Sequence, residues 1–98
     1  MSNPTDTVSH NTYFDGKVQS LGLQTTDGKA TVGVMKAGSY EFGTSSPEKM
    51  IIVAGTAKVS LDGETWNTYG PQGIFDVQAN VKFQISCEAD LAYICYYE

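Results

Sequence analysis

Hydrophobic and polar positions alternate with a period of two along much of the chain. Over residues 81–87, Val81, Phe83, Ile85 and Cys87 share one face and Lys82, Gln84 and Ser86 the other, as in a strand buried on one side. The same reading groups Tyr40, Phe42 and Thr44 against Glu41 and Gly43, and Glu48, Met50 and Ile52 against Lys49, Ile51 and Val53. Further runs rich in β-branched and aliphatic residues cover 18–23, 30–35, 58–61, 74–77 and 91–97. No window repeats its apolar residues at three and four, so helices are not predicted.

Turn residues punctuate these runs. Asp-Gly occurs at Asp15-Gly16, Asp27-Gly28 and Asp62-Gly63, and this dipeptide suits the positive φ of a type I′ turn. Leu61-Asp62-Gly63-Glu64 therefore predicts a tight hairpin. Asp27-Gly28 joins a strand ending near Gln24 to one starting near Ala30. Seven or more short antiparallel strands with turns every 8–12 residues predict an all-β sandwich or barrel. A polar stretch at residues 1–12 predicts a flexible tail, with one domain over 13–98.

Composition narrows the function. At 98 residues with 41% hydrophobic content, the chain is sized for one packed core and is too apolar to be disordered. Eleven acids face six lysines, arginine is missing, and the net charge of -5 argues against nucleic-acid binding. No apolar run is long enough to span a membrane as a helix, and the N-terminus lacks the pattern of a secretory signal. A cytoplasmic location is the expectation. Cys87 and Cys95 predict two buried free thiols, on opposite sides of a turn at Glu88-Ala89-Asp90 that would close a hairpin. Trp66 is expected in the core or at a dimer contact.

The order of several short motifs resembles the bacterial pyrimidine/purine nucleoside phosphorylase family. The resemblance runs from Asn11-Thr12-Tyr13-Phe14-Asp15-Gly16-Lys17-Val18 through residues 28–35 and Gly38-Ser39-Tyr40-Glu41-Phe42. It continues with Pro47-Glu48-Lys49-Met50, Gly55, Trp66, residues 75–80, Phe83 and Tyr93-Ile94-Cys95-Tyr96. It implies a single-domain cupin-type β-barrel or jelly roll, associated as a homodimer. It also implies conversion of varied nucleosides and inorganic phosphate to free base and ribose 1-phosphate. Ser39 stands where the family usually has an acid, Gln78 replaces a characteristic proline, and Tyr96 stands where some relatives carry an arginine.

The same resemblance locates the positions that hold a metal in many cupins. Glu48 and Gly55 match the end of the first motif, which places Phe42 and Thr44 where histidines would stand. Gln78, Asn80 and Phe83 fall on the second motif, and again no histidine is present. His10, in the polar stretch, is the chain's one imidazole. A transition metal needs several converging donors, so no metal cofactor is expected.

Phosphorolysis develops positive charge on the ribose as the base leaves, which asks for a carboxylate, stacking surfaces and a cation for phosphate. Glu48 is the candidate catalytic residue. Tyr40, Phe42, Phe83 and Tyr93 are candidates for the base or sugar wall, with Thr44 and Asn80 as short polar groups. Lys17 and Lys49 are the candidates for phosphate, although alternation turns Lys49 away from Glu48. The alternative reading is a non-catalytic cupin that binds a nucleoside-like or sugar ligand. Sugar isomerisation would need a base, for which Glu48 alone qualifies.

Overall fold

The alternating runs fold as ten strands in the computed structural model, which describes residues 7–98. They are β1 (His10–Tyr13), β2 (Val18–Thr25), β3 (Gly28–Met35), β4 (Gly38–Gly43), β5 (Glu48–Ala54), β6 (Ala57–Ser60), β7 (Trp66–Tyr69), β8 (Ile74–Val77), β9 (Lys82–Cys87) and β10 (Leu91–Tyr97). Six form one sheet in the order β1-β2-β3-β10-β5-β8, and four form a second in the order β4-β9-β6-β7. The all-β prediction holds. The barrel is not closed, and the two sheets face each other as a sandwich.

The core fills the space between the sheets. Val18, Met35, Ile52, Val59, Ile85 and Leu91 are almost wholly removed from water, and each such side chain contributes about 1.5–3 kcal/mol of hydrophobic stabilisation. Aromatic rings continue the packing from sheet to sheet. Phe42 and Phe83 stack with centroids 5.8 Å apart, Phe83 meets Phe75 edge-on at 6.4 Å, and Phe75 leans on Tyr69 at 4.8 Å.

The connection from β1 to β2 closes one edge of the sandwich. Phe14 and Asp15 adopt φ of 53° and 56°, followed by Gly16 at 85°. Positive φ is costly for an aromatic residue. Here it turns the Phe14 ring onto Tyr40 and Phe42 of the opposite sheet, at 5.0 and 5.5 Å.

Several expectations are corrected. β1 begins inside the stretch read as a tail, because His10, Asn11 and Thr12 pair with Leu21, Ser20 and Gln19. Residues 1–6 of that stretch lie outside the described residues. β9 and β10 do not form a hairpin, since they belong to different sheets and the turn at residues 88–90 crosses between them.

The Asp62-Gly63 turn is looser than predicted. Ser60 pairs with Trp66, leaving five residues in the loop, and the Asp62 carboxylate accepts the backbone N–H groups of Glu64 and Thr65 at 2.8 and 2.7 Å. Those bonds hold the Asp62 carboxyl below the usual carboxylate pKa range. In the β2–β3 hairpin Thr25 pairs with Gly28, so Thr26-Asp27 make the two-residue turn. Trp66 is 46% exposed, which removes it from the core.

Candidate functional site

The strands leave a cavity of about 230 Å³ between the sheets. That is slightly below the ~300–1,000 Å³ usual for drug-sized ligands, so a nucleoside held there would extend toward the opening. Its floor comes from the central strands of the large sheet. Tyr93, Cys95 and Tyr97 of β10 share one face by alternation, and Glu48 and Met50 of β5 stand beside them. The roof is Phe42 of β4 with Phe83 and Ile85 of β9, and Tyr13 closes the side.

Glu48 is partly buried and opens β5 directly opposite Tyr97. The Cys95 thiol donates to Glu48 Oε1 at 3.4 Å. Burial raises the Glu48 pKa above the ordinary carboxylate range, and the thiol contact offsets part of that rise. Burial also pushes the Cys95 thiol up to about 12, helped by the neighbouring carboxylate. The Tyr97 hydroxyl, likewise raised to about 12 by burial, shares a hydrogen bond with Thr31 Oγ1 at 3.1 Å. Burial raises the Tyr93 phenol too. All three groups therefore stay neutral at physiological pH, leaving Glu48 as the ionisable acid of the cavity.

Of the residues singled out from sequence, Glu48, Phe42, Phe83 and Tyr93 line this cavity together. The others do not. Tyr40 is buried beside Phe14 and Phe42, and its hydroxyl donates to the Lys36 carbonyl at 2.7 Å, tying strand ends together. Thr44 faces inward as predicted, but its hydroxyl donates to the Gln78 carbonyl at 2.6 Å and accepts from the Val81 N–H at 3.2 Å. Asn80 is exposed and holds a turn at φ 62°, so its place is set by backbone geometry.

Lys17 is exposed on the far side of the large sheet, beside His10, Val34 and Lys36. Lys49 points outward from β5, opposite Asp76 and Tyr96. Neither lysine reaches the cavity. Sequence reasoning did not single out Ser20, Met35 or Tyr97 as lining residues. Alternation from Tyr93 and Cys95 would have found Tyr97.

The positions at which the sequence resemblance places metal ligands carry Phe42, Thr44, Glu48 and Phe83. Among the described residues no three of His, Cys, Asp and Glu converge. One carboxylate and one thiol do not match the three or four donors such an ion requires.

The profile of pyrimidine/purine nucleoside phosphorylases matches residues 8–97. A pyrimidine/purine nucleoside phosphorylase of Pseudomonas aeruginosa is 50% identical over 88 residues, covering 89% of this chain and 95% of that protein. The crystal structure of a Vibrio parahaemolyticus protein of unknown function is 40% identical, with a TM-score of 0.89, and covers 94% of this chain and 99% of its own. A cupin domain from Schizosaccharomyces pombe superposes with a TM-score of 0.67 at 16% identity, covering 99% of this chain and 74% of that one. That last likeness concerns the fold alone: the sandwich is cupin-like.

Proposed function

Because this chain belongs to the pyrimidine/purine nucleoside phosphorylase family, we propose that it cleaves nucleosides with inorganic phosphate, without a metal and with broad tolerance for the base. The observation that carries this reading is the Glu48 carboxylate set into an aromatic-walled cavity between the sheets.

In the proposed reaction a phosphate oxygen bonds to C1′ as the C1′–N bond breaks. The bonding pair leaves with the base, whose nitrogen takes up the proton that hydrogenphosphate gives up, and ribose 1-phosphate remains. The ribose ring carries positive charge at the transition state. Ionised Glu48 faces that charge and accepts hydrogen bonds from the sugar hydroxyls, a placed charge that needs no reorganisation. Phe42, Phe83 and Tyr93 offer faces and edges to the base. Stacking discriminates little among bases, since every base has a π-face, and this supports a wide substrate range.

A homodimer is part of the same proposal. Leu21, Val32, Ile94, Ile51 and Ile74 are successive register partners across β2, β3, β10, β5 and β8 on the outer face of the large sheet. Six strands at ~4.8 Å and about seven residues at ~3.3 Å give that face roughly 650 Å², close to the ~800 Å² each partner buries in a stable interface.

The decisive experiment is incubation of the purified protein with uridine or adenosine, with and without phosphate. Phosphate-dependent release of free base is the expected outcome. Release without phosphate would make the protein a hydrolase. No release would leave a ligand-binding cupin, a reading favoured by the lack of any cation among the cavity-lining residues.

A further inference from the structure

A phosphorylase must hold a dianion beside C1′, yet no lysine lines this cavity and the chain has no arginine. All six lysines lie among the described residues, and their positions differ sharply. Lys36 is paired with Asp90 at 2.9 Å. Lys17 and Lys49 are on the outer side of the large sheet. Lys58 and Lys82 are exposed and alternate with the buried Val59 and Phe83, so they project from the outer side of the small sheet.

Lys29 is different. Tyr96 pairs with Ala30, which makes the next residues along the two strands, Tyr97 and Lys29, neighbours on the inner side. The Lys29 ammonium lies 6.0 Å from the centroid of the Tyr97 ring, at the limit of cation–π attraction. Tyr97 in turn pairs with Glu48. Lys29, Tyr97 and Glu48 thus form one row across β3, β10 and β5: Glu48 and Tyr97 line the cavity, and Lys29 stands at the outer end of the row, in a neighbouring surface groove beside Leu23 and Gln24.

We infer that Lys29 is the phosphate-binding cation of this site. Two strand spacings of ~4.8 Å separate the ends of the row by roughly 10 Å. That leaves room for the ribose at Glu48 and for phosphate at Lys29, with Tyr97 between the two. The Tyr97–Thr31 hydroxyl pair lies alongside. Among the described residues the one ion pair is Lys36–Asp90, and Lys29 has no carboxylate partner among them.

The inference deepens the phosphorolysis reading and rests on it, and two measurements keep the two apart. Steady-state kinetics on Lys29→Met should show a phosphate KM raised by about tenfold or more, as expected for loss of one charge-assisted hydrogen bond. The nucleoside KM should stay near that of the parent, Lys29→Arg should restore most of the phosphate affinity, and Lys17→Met and Lys49→Met should change nothing. Independently of turnover, the parent protein should broaden the 31P resonance of inorganic phosphate in the presence of nucleoside, and Lys29→Met should not. Equal broadening by both proteins, or none by either, overturns the role of Lys29. Broadening that depends on Lys29 without any base release sustains it while refuting phosphorolysis.

Discussion

Tyr93 lies against Gly33, its register partner on the neighbouring strand, so closely that a methyl group on Gly33 would overlap the tyrosine Cζ, hydroxyl and Cε1. Gly33 lies between Thr31 and Met35 on the buried, inward-facing side of β3, and the tyrosine ring occupies the space a side chain would fill. A wall residue of the cavity is thus positioned by an atom that is missing. Gly33→Ala should force Tyr93 toward the cavity and destabilise the fold by ~1–3 kcal/mol, as overpacking does. Each kcal/mol should lower the melting temperature by roughly 4–8 °C in a domain of this size. A thermal melt tests this, and nucleoside affinity should fall with it.

Glu48→Gln should reduce turnover by about tenfold or more while leaving the circular dichroism spectrum unchanged. The pH profile supplies a second reading. With its pKa raised by burial, Glu48 should ionise later than an ordinary carboxylate. Activity that needs the carboxylate should therefore appear on an acid limb above the usual carboxylate range, and that limb should vanish in the variant.

Stability should respond in the opposite sense. A carboxyl whose folded pKa is raised binds more protons folded than unfolded, so this group's contribution falls as pH rises from the ordinary carboxylate value through the raised one. Glu48→Gln should remove that decline. Chemical denaturation of both proteins between pH 4 and 8 measures the difference, and identical pH dependence would show that the carboxylate is not strained by burial.

Cys87 and Cys95 are both free and buried, and burial holds each thiol above its ordinary pKa. Thiolate is the reactive form. Iodoacetamide at pH 8 should therefore label neither in the native protein and both after unfolding, as intact mass measurement would record. Rapid native labelling of Cys95 would show that the cavity opens far more than its packing implies.

Thr44→Val should cost ~1–3 kcal/mol in urea unfolding, because the change leaves the Gln78 carbonyl and the Val81 N–H without their buried partner. Nucleoside affinity should not change, since Thr44 lies off the cavity. Affinity loss at unchanged stability would place this hydroxyl on the ligand instead.

Val32 stands between Leu21 and Ile94 in the outer apolar row and is 43% exposed. If two copies meet through that face, Val32→Lys should turn the dimer into a monomer in sedimentation velocity, because the interface would bury two unpaired ammonium groups. A dimer that survives the change uses another surface.

Much of the architecture was legible from alternation. The inward faces of the strands carrying Tyr40, Met50 and Phe83 came out as observed, since a half-buried strand imposes its period directly on the sequence. Pairing was not legible. β10 lies between β3 and β5, its neighbours being set by contacts far apart in the chain, and local turn chemistry suggested β9 instead. Facing inward was also not the same as facing the cavity: Thr44 and Tyr40 point inward and spend their hydroxyls on backbone carbonyls. The reverse holds for Lys29, an ordinary exposed lysine until its neighbour Tyr97 is placed.

The central position of β10 has a consequence during synthesis. A growing chain cannot complete the large sheet until Tyr97 has left the ribosome, and until then β3 and β5 both present bare edges. Such edges recruit other chains. Slow translation or early termination near residue 90 should therefore yield insoluble product, whereas the four strands of the smaller sheet are already present by Cys87.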